Sequence, residues 1–510
     1  MRFQCFFAID SPAVCRAPGR LGLLALFCLV AFSAGLAQAA DSSPGSTPFE
    51  QAVNAALTTN PKILSAKATL AATQEKYAQG LAALFPDINL IASRTQYSDT
   101  WTDTSNSQSP DRFNLSLIQP LFRRPLLKAL QQTKPLMAAA EEEYNVALQG
   151  VLLETIQAMV TLQLTENVER LAEDNLVLSH RNLDAALTRR RAGDLTRTDV
   201  DQATARVSSS EAELIRAKND AMVARARFEE TVGMEVPEGL EIPDVPAHLL
   251  RGSLQDLTNY RVDRPDLKAA GLRVEAADVA VEIEKSGHYP YLDLQANAVT
   301  FQGGEGASAA RIDGEYQYSV ALQLTVPLFS GGKVLSRTRE ALDNREVRRS
   351  DLQRVEKQAI REINQAHLLM HSAKATVSSA EAALRFNKEA VKGLEEEFAA
   401  GFRTVTQLFE LQNQLFRAKT DLVKNRYELV SSQYQLLHTF GHLTLAHLQL
   451  PDTLQADGMV RDADAVDTGL FTRFIDSLKK LPPADGPPAK SAQPEPLPPA
   501  EKGPSPAPQP

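Results

Sequence analysis

Cysteine is absent from residue 29 to the end of this 510-residue chain; Cys5, Cys15 and Cys28 are the three it has. Without thiols that stretch has no disulfide, no thiolate metal site and no thiol nucleophile. Tryptophan occurs once and aromatics make up 6%, little for an enzyme with a large packed core. There is no G-x-S-x-G and no phosphate-binding P-loop, and the eight histidines are scattered. His367 and His371 stand four apart on a helical stretch, a spacing that can share a metal, but an exposed histidine pair is the default reading. His438, His442 and His447 surround Gly441 with no better case for a metal. No enzyme, cofactor or metal centre is expected. Beyond the first 40 residues no uninterrupted apolar run approaches the 18 to 20 residues of a spanning helix. With a mean hydropathy of −0.24 and 23% charged residues, a polytopic helical membrane protein is excluded. The net charge of −9 argues against a partner bound through phosphates, so no nucleic acid is expected.

The N-terminus reads as a secretory signal over residues 1–39. Arg2, Arg16 and Arg20 give a positive start, Leu21 to Ala34 the apolar stretch, and Ala37-Gln38-Ala39 a small-x-small cleavage site. A membrane anchor fits less well, because Ser33, Gly35 and Gln38 interrupt the run. Phe27 before Cys28 is too large for lipoprotein processing. The exported remainder carries 51 basic against 62 acidic residues.

The rest of the chain is written twice. Asn60-Pro61 matches Arg264-Pro265, and Phe85-Pro86-Asp87 matches Tyr289-Pro290-Tyr291, both at an offset of 204. Pro120-Leu121-Phe122 matches Pro327-Leu328-Phe329 at 207, while Ala192-Gly193 and Gly233 match Ala400-Gly401 and Gly441 at 208. A drift of four residues over such a distance indicates two copies of one architecture. The copies are expected over 48–243 and 250–450. Each opens on a helical stretch (49–84; 254–285), followed by two stretches alternating with period two. Strands are thus expected at about 88–97 and 112–119, then 292–301 and 316–326, with a polar loop inside each pair. Tyr318, Val320, Leu322, Leu324 and Val326 alternate with Ser319, Ala321, Gln323 and Thr325. About ten residues is the length of a tilted strand crossing a bilayer. Tyr97, Trp101, Phe113, Phe301 and Tyr316 sit at strand ends, as an interfacial girdle requires; amphipathic hairpins on a soluble domain are the plainer alternative.

Very long helical stretches follow each hairpin. Residues 126–191 contain one proline, Pro135, near the start, where it is tolerated; this length is roughly 100 Å of helix. After a glycine break a helix returns over 198–231, and the second copy repeats the plan over 336–399 and 405–439. The returning helices carry matching heptads, Val200, Val207, Leu214, Ala221, Phe228 and Leu408, Leu415, Leu422, Leu429, Leu436, beside a seam of mainly small or polar residues. Arg189, Arg190 and Arg191 form a charge run suited to a helix C-terminus. Residues 451–510 change character: 12 prolines occur in the last 29 positions, a composition that cannot bury a core.

Four strands cannot close a membrane barrel, because open edges leave unpaired backbone groups in lipid. The missing strands must come from identical neighbours. Three copies give twelve strands, and two give eight with little lumen.

The doubled plan resembles the TolC-like outer-membrane efflux protein family over about residues 48–450. The matching runs are Ala192 to Ala203, Gly401 to Leu408, Pro327 to Gly332, and Phe440-Gly441-His442-Leu443. The resemblance implies a mainly α fold with a β-barrel contribution: a homotrimer with a 12-stranded barrel in outer-membrane lipid and an α-helical tunnel across the periplasm. It implies the exit duct of a tripartite export system in a Gram-negative outer membrane, working with a periplasmic membrane-fusion adaptor and an inner-membrane pump of ABC or RND type. The run from Gly193 to Val200 leans toward members serving type I protein secretion; multidrug efflux stays open. A periplasmic adaptor or a coiled-coil structural protein is the alternative, disfavoured by the recurring hairpins. The resemblance further implies an adaptor-docking tip at Gly193, Asp194, Leu195, Gly401 and Phe402. It implies an entrance latch in which Arg403 faces Thr198 and Asp199, with Phe398 where a tyrosine is often found. Gln407 stands where an acidic ring residue is expected, which leaves Glu410 as the one carboxylate of the constriction.

Overall fold

The computed structural model describes residues 47–94, 111–245, 264–302, 316–400, 402–446 and 448. The expected signal segment, Tyr97, Trp101, Gly401, His447, the tail from 451, and residues 98–110 and 303–315 of the hairpin loops lie outside the described residues, as does the side chain of Phe301.

The elements run α1 (Pro48–Thr59), α2 (Pro61–Ala82), β1 (Asp87–Arg94), β2 (Asp111–Phe122), α3 (Arg124–Ala192) and α4 (Arg197–Val232). They continue with α5 (Pro265–Lys285), a 3-10 turn (Ser286–His288), β3 (Tyr291–Gln302), β4 (Tyr316–Thr325), α6 (Lys333–Ala399) and α7 (Val405–Thr439). The described residues are therefore mostly helical. The periodicity over 49–84 predicts one helix, and the structure has two. Asn60 is extended (φ −66°, ψ 123°), because a residue before proline is pushed out of the helical region. Residues 254–263 of the helical stretch expected over 254–285 lie outside the described residues; the described part is helical from Pro265, with Arg264 as its extended N-cap.

The strands form one antiparallel sheet in the order β1-β2-β3-β4. Register pairs Leu90 with Leu115, Leu115 with Ala298, and Ala298 with Tyr318. By the two-residue alternation of a strand, Ile88, Leu90, Phe113, Leu115, Leu117, Tyr318, Val320, Leu322 and Leu324 share one face. That face is bare: Tyr318 and Val320 are 76% and 75% exposed, and Leu90 69%. The other face carries Asp87, Asn89, Ser93, Asn114, Ser116, Gln295, Asn297, Gln317, Ser319 and Gln323, interrupted by Ile91, Ile118 and Val299. Its side chains bond to each other, Asn89 Nδ2 to Asp87 Oδ1 (3.2 Å) and Gln295 Nε2 to Gln323 Oε1 (2.7 Å). Among the described residues, β1 and β4 each have one paired edge.

The chain forms two compact units, each drawing on both halves of the sequence. Among the described residues one comprises 47–60, 151–245, 371–400 and 402–434. Its core is built from Leu152, Ile156, Met159 and Leu162 of α3, Val200, Ala203, Val207, Ala217 and Phe228 of α4, and Leu408 and Leu422 of α7. Most of the heptad series of α4 and of its small-residue seam is buried, Ser210 completely, while Leu214 and Thr231 are half-buried. An apolar window of α3 is long enough to cross a membrane by composition, but 61% of it is buried. That burial makes it core helix. The segment after α4 is tied down from two sides: Gln163 Nε2 donates to the Leu240 carbonyl, and the hydroxyl of Tyr434 donates to that of Pro243. Burial pushes the Tyr434 phenol well above its ordinary pKa.

Among the described residues the other unit comprises 61–94, 111–150, 264–302, 316–370, 435–446 and 448. It contains the sheet and a small-residue helical core that includes Ala139, Ala269, Ala276 and Ala359 with Ile363. Where β2 meets α3, Arg123 grips the buried Asp293 of β3 with both arms of its fork, Nε to Oδ1 at 2.7 Å and Nη2 to Oδ2 at 2.5 Å. Arg124 lies over the ring of Tyr289 at 4.0 Å, and Arg123 over Tyr291 at 5.2 Å.

Candidate functional site

Both helix reversals expected at the tip belong to the first unit. In the first, α3 ends at Ala192 and Gly193 takes φ +91°, a conformation that L side chains rarely adopt. Gly193 N donates to Arg190 O and Asp194 N to Arg189 O (2.9 Å), which satisfies the last carbonyls in the Schellman manner. Leu195 then folds back onto Ala186, Val200 and Ala203, beside Phe409. Thr196 caps α4: its Oγ1 accepts from Asp199 N, and Thr196 N donates to Asp199 Oδ2 at 2.9 Å. This is a capping box.

The second reversal repeats the pattern 208 positions on. Phe402 N donates to Glu397 O at 2.9 Å, the equivalent of the Asp194–Arg189 bond. Thr404 N donates to Gln407 Oε1 at 3.2 Å and Gln407 N to Thr404 Oγ1 at 3.5 Å, a second capping box with an amide in place of the carboxylate. Gly401 is outside the described residues. Phe402 projects into solvent, 82% exposed. The guanidinium of Arg403 donates to Glu397 at 2.7 Å, while Arg189 lies 4.5 Å over the Phe398 ring.

Within one chain Arg403 therefore meets Glu397, and Asp199 meets Thr196. Thr198 and Glu410 are exposed near the starts of α4 and α7. The two helix starts are bridged by Thr406 Oγ1 and Gln202 Oε1 at 2.6 Å. Deeper in the bundle, Asn182 bonds Gln412 (2.7 Å) and Arg206 bonds Asn413 (3.0 Å). Reasoning from sequence missed Glu397, Gln202 and Thr406, and read Arg189 only as part of a charge run at a helix C-terminus. The capping boxes were readable in advance as Thr-x-x-Asp and Thr-x-x-Gln; the Arg403–Glu397 pair was signalled by nothing beyond its proximity across a glycine break. Among the described residues no group of three or more His, Cys, Asp or Glu is placed to hold a metal ion.

A mostly helical chain with a two-faced four-stranded sheet and paired long helices is an architecture shared with solved outer-membrane channels. The chain belongs to the outer membrane efflux protein family, whose profile matches residues 52–234 and 257–442. It is 26% identical to the outer membrane efflux protein BepC of Brucella suis, over 55% of this chain and 62% of that one. It is also 26% identical to the alkaline protease secretion protein AprF of Pseudomonas aeruginosa, over 70% of this chain and 76% of that one. The matched region thus spans under two thirds of BepC and about three quarters of AprF. The fold matches the CmeC outer membrane channel of Campylobacter jejuni with a TM-score of 0.66 at 16% identity, covering 78% of this chain and 86% of that one.

Proposed function

We propose that the protein is the outer-membrane exit duct of a tripartite export system, assembled as a homotrimer and served by a periplasmic adaptor and an inner-membrane pump. One observation carries this reading: a sheet whose apolar face is bare, whose opposite face is polar, and whose edge strands β1 and β4 each have one paired edge among the described residues. Such a sheet is unstable alone in lipid or in water. Three copies joined edge to edge give twelve strands, with the apolar face toward lipid and the amide-rich face lining a lumen. The repeats 48–243 and 250–450 then supply two hairpins and two helix pairs per subunit. Relatives named for protease secretion and for solvent efflux support an export duct and leave the cargo class open. Crosslinking and native mass measurement in detergent test the assembly, and a folded monomer as the stable species overturns it.

The tips form the adaptor-facing end in this reading, with Gly193, Asp194, Leu195, Gly401 and Phe402 as the docking surface. Arg403 is the latch toward Thr198 and Asp199 of a neighbouring tip, beside Phe398, and Gln407 and Glu410 line the constriction. Arg403→Ser should raise single-channel conductance severalfold, and Glu410→Gln should weaken cation preference. Because Arg403 also pairs with Glu397, Glu397→Gln separates the two roles. A contact between copies survives that change, whereas conductance rising equally in both variants removes the latch.

A further inference from the structure

A cavity of about 290 Å³ lies where the sheet meets the helices of the second unit. Arg123, Pro125, Leu126, Gly287, Tyr289 and Tyr291 line it, and no carboxylate is among its lining residues. We propose that this pocket is a subsite for an organic monoanion, a carboxylate or phosphodiester joined to a compact aromatic or aliphatic body, in transit through the duct. The inference rests on the duct reading above and names a substrate class for it.

The chemistry follows from how the two arginines are held. Asp293 is 2% exposed and takes Nε and Nη2 of Arg123, so the guanidinium is fixed in place while its side chain stays 37% exposed. That leaves the Nη1 side of the fork to meet an oxyanion, the pairing for which a planar guanidinium is suited. Arg124 adds a second positive charge, held over the ring of the lining residue Tyr289. The nearby carboxylate of Glu282 is bonded to Lys285 at 3.0 Å. Arg124 is also the first residue of α3, so the positive end of that long helix faces the same junction. Pro125, Leu126 and the two tyrosine rings supply apolar walls. The volume is at the small end of ligand pockets, about 300–1,000 Å³. A bare inorganic anion leaves those walls unfilled.

The side of the sheet decides between a solute and a bilayer lipid. Tyr291 has the same strand parity as Asp293 and Gln295, so it stands on the polar face. It also lies on β3, a central strand, away from the edges where neighbouring copies add strands. The pocket accordingly opens toward the lumen side.

Equilibrium binding of 4-butylbenzoate and its neutral isostere 4-butylbenzamide to the purified full-length protein tests the proposal. The benzoate should bind at least tenfold more tightly than the amide. Arg124→Ser should remove that preference, and Tyr289→Leu should weaken benzoate binding tenfold if the first variant folds poorly. Equal binding of the two probes, or undiminished binding in both variants, overturns the proposal. Inorganic phosphate displacing the benzoate at equal concentration would show a bare-anion site, and phosphatidylglycerol displacing it in nanodiscs a lipid site; either result also overturns it. Single-channel recording on the same preparation separates the two readings. A protein that does not conduct fails as a duct, while one that conducts without the benzoate preference lacks only this subsite.

Discussion

The two X-Pro junctions close the same kind of gap with different chemistry. Asn60 and Arg264 each precede a proline, each is extended, and each reaches a carbonyl in the last turn of a returning helix. Asn60 Nδ2 donates to Thr231 O at 3.1 Å, and Arg264 Nη1 donates to Thr439 O at 3.1 Å. Thr231 and Thr439 are 208 positions apart, the same spacing as the tips. The neutral clasp is completed by Thr59, whose hydroxyl bonds the Val232 carbonyl at 3.2 Å. It presses so closely on Gly233 that a Cβ there would sit 2.3 Å from Thr59 Oγ1. The charged clasp instead recruits Asp266 and Glu362 at 2.7 and 3.0 Å around a guanidinium that is 9% exposed. An amide satisfies a helix end with one bond. A buried guanidinium needs carboxylates as well, and once it has them it cannot be removed without stranding them.

The largest expected effect is therefore at Arg264. Breaking a buried pair costs about 3–5 kcal/mol. Asp266 and Glu362 keep about a third of their surface in water, which reduces the expected loss for Arg264→Met to about 2–3 kcal/mol. Asn60→Ala leaves one carbonyl unpaired and should cost about 1–2 kcal/mol. Urea unfolding of the two purified variants under one set of conditions ranks them, and a larger loss at Asn60 would reverse the comparison.

A second difference follows the first. His438 lies beside the charged clasp, while the neutral clasp has Glu230 at the equivalent position. Burial, and then the Arg264 charge, lower the pKa of His438, with Glu362 and Asp266 pulling the other way. The folded state thus binds fewer protons here than the unfolded chain, whose imidazole titrates near pH 6.5. The His438 contribution is fully present above that pH and is lost as pH falls through it toward the folded value. Unfolding midpoints measured between pH 8 and pH 5 should fall on the acid side, and His438→Gln should flatten that slope. Arg264→Met should raise the histidine pKa, and an unchanged imidazole titration by NMR would show that Arg264 has no influence on it.

Much of this architecture was legible as periodicity. Strands, long helices and returning heptads are local patterns, and their positions in the structure differ from the expected ones by a few residues at most where both are described. The break at Asn60 was legible too, since Asn60-Pro61 carries the same signal as Arg264-Pro265, but an apolar stripe running on to Leu84 concealed it. The clasps were not legible. Arg264 and Thr439 are 175 residues apart, and Arg264 and Glu362 are 98 apart. No spacing rule links such pairs before the helices are laid side by side. The same holds at the candidate site. Resemblance assigns gate roles to Asp199 and Gln407, while the local Thr-x-x-Asp and Thr-x-x-Gln patterns assign each a capping bond that the resemblance does not mention.

The smallest expected effect bears on those two residues, which occupy equivalent positions and differ by one charge. Asp199 and Gln407 are both the third residue of a helix, bonded back to the N-cap threonine. A carboxylate there meets the positive end of the helix, an interaction of about 0.3–1 kcal/mol that an amide lacks. Gln407→Glu should thus make the second cap resemble the first and stabilise the start of α7 by about 0.5 kcal/mol. That is too little for a global unfolding measurement, so amide hydrogen exchange over residues 404–410 is the suitable reading, with slower exchange expected. The same substitution adds one carboxylate per subunit beside Glu410, so cation preference in single-channel recordings should rise. If exchange slows and ion preference stays fixed, Gln407 is a cap that does not face the lumen. If ion preference rises and exchange does not slow, the capping geometry gives way to the constriction. Both changes together place one side chain in both roles, the outcome that the proposed duct requires.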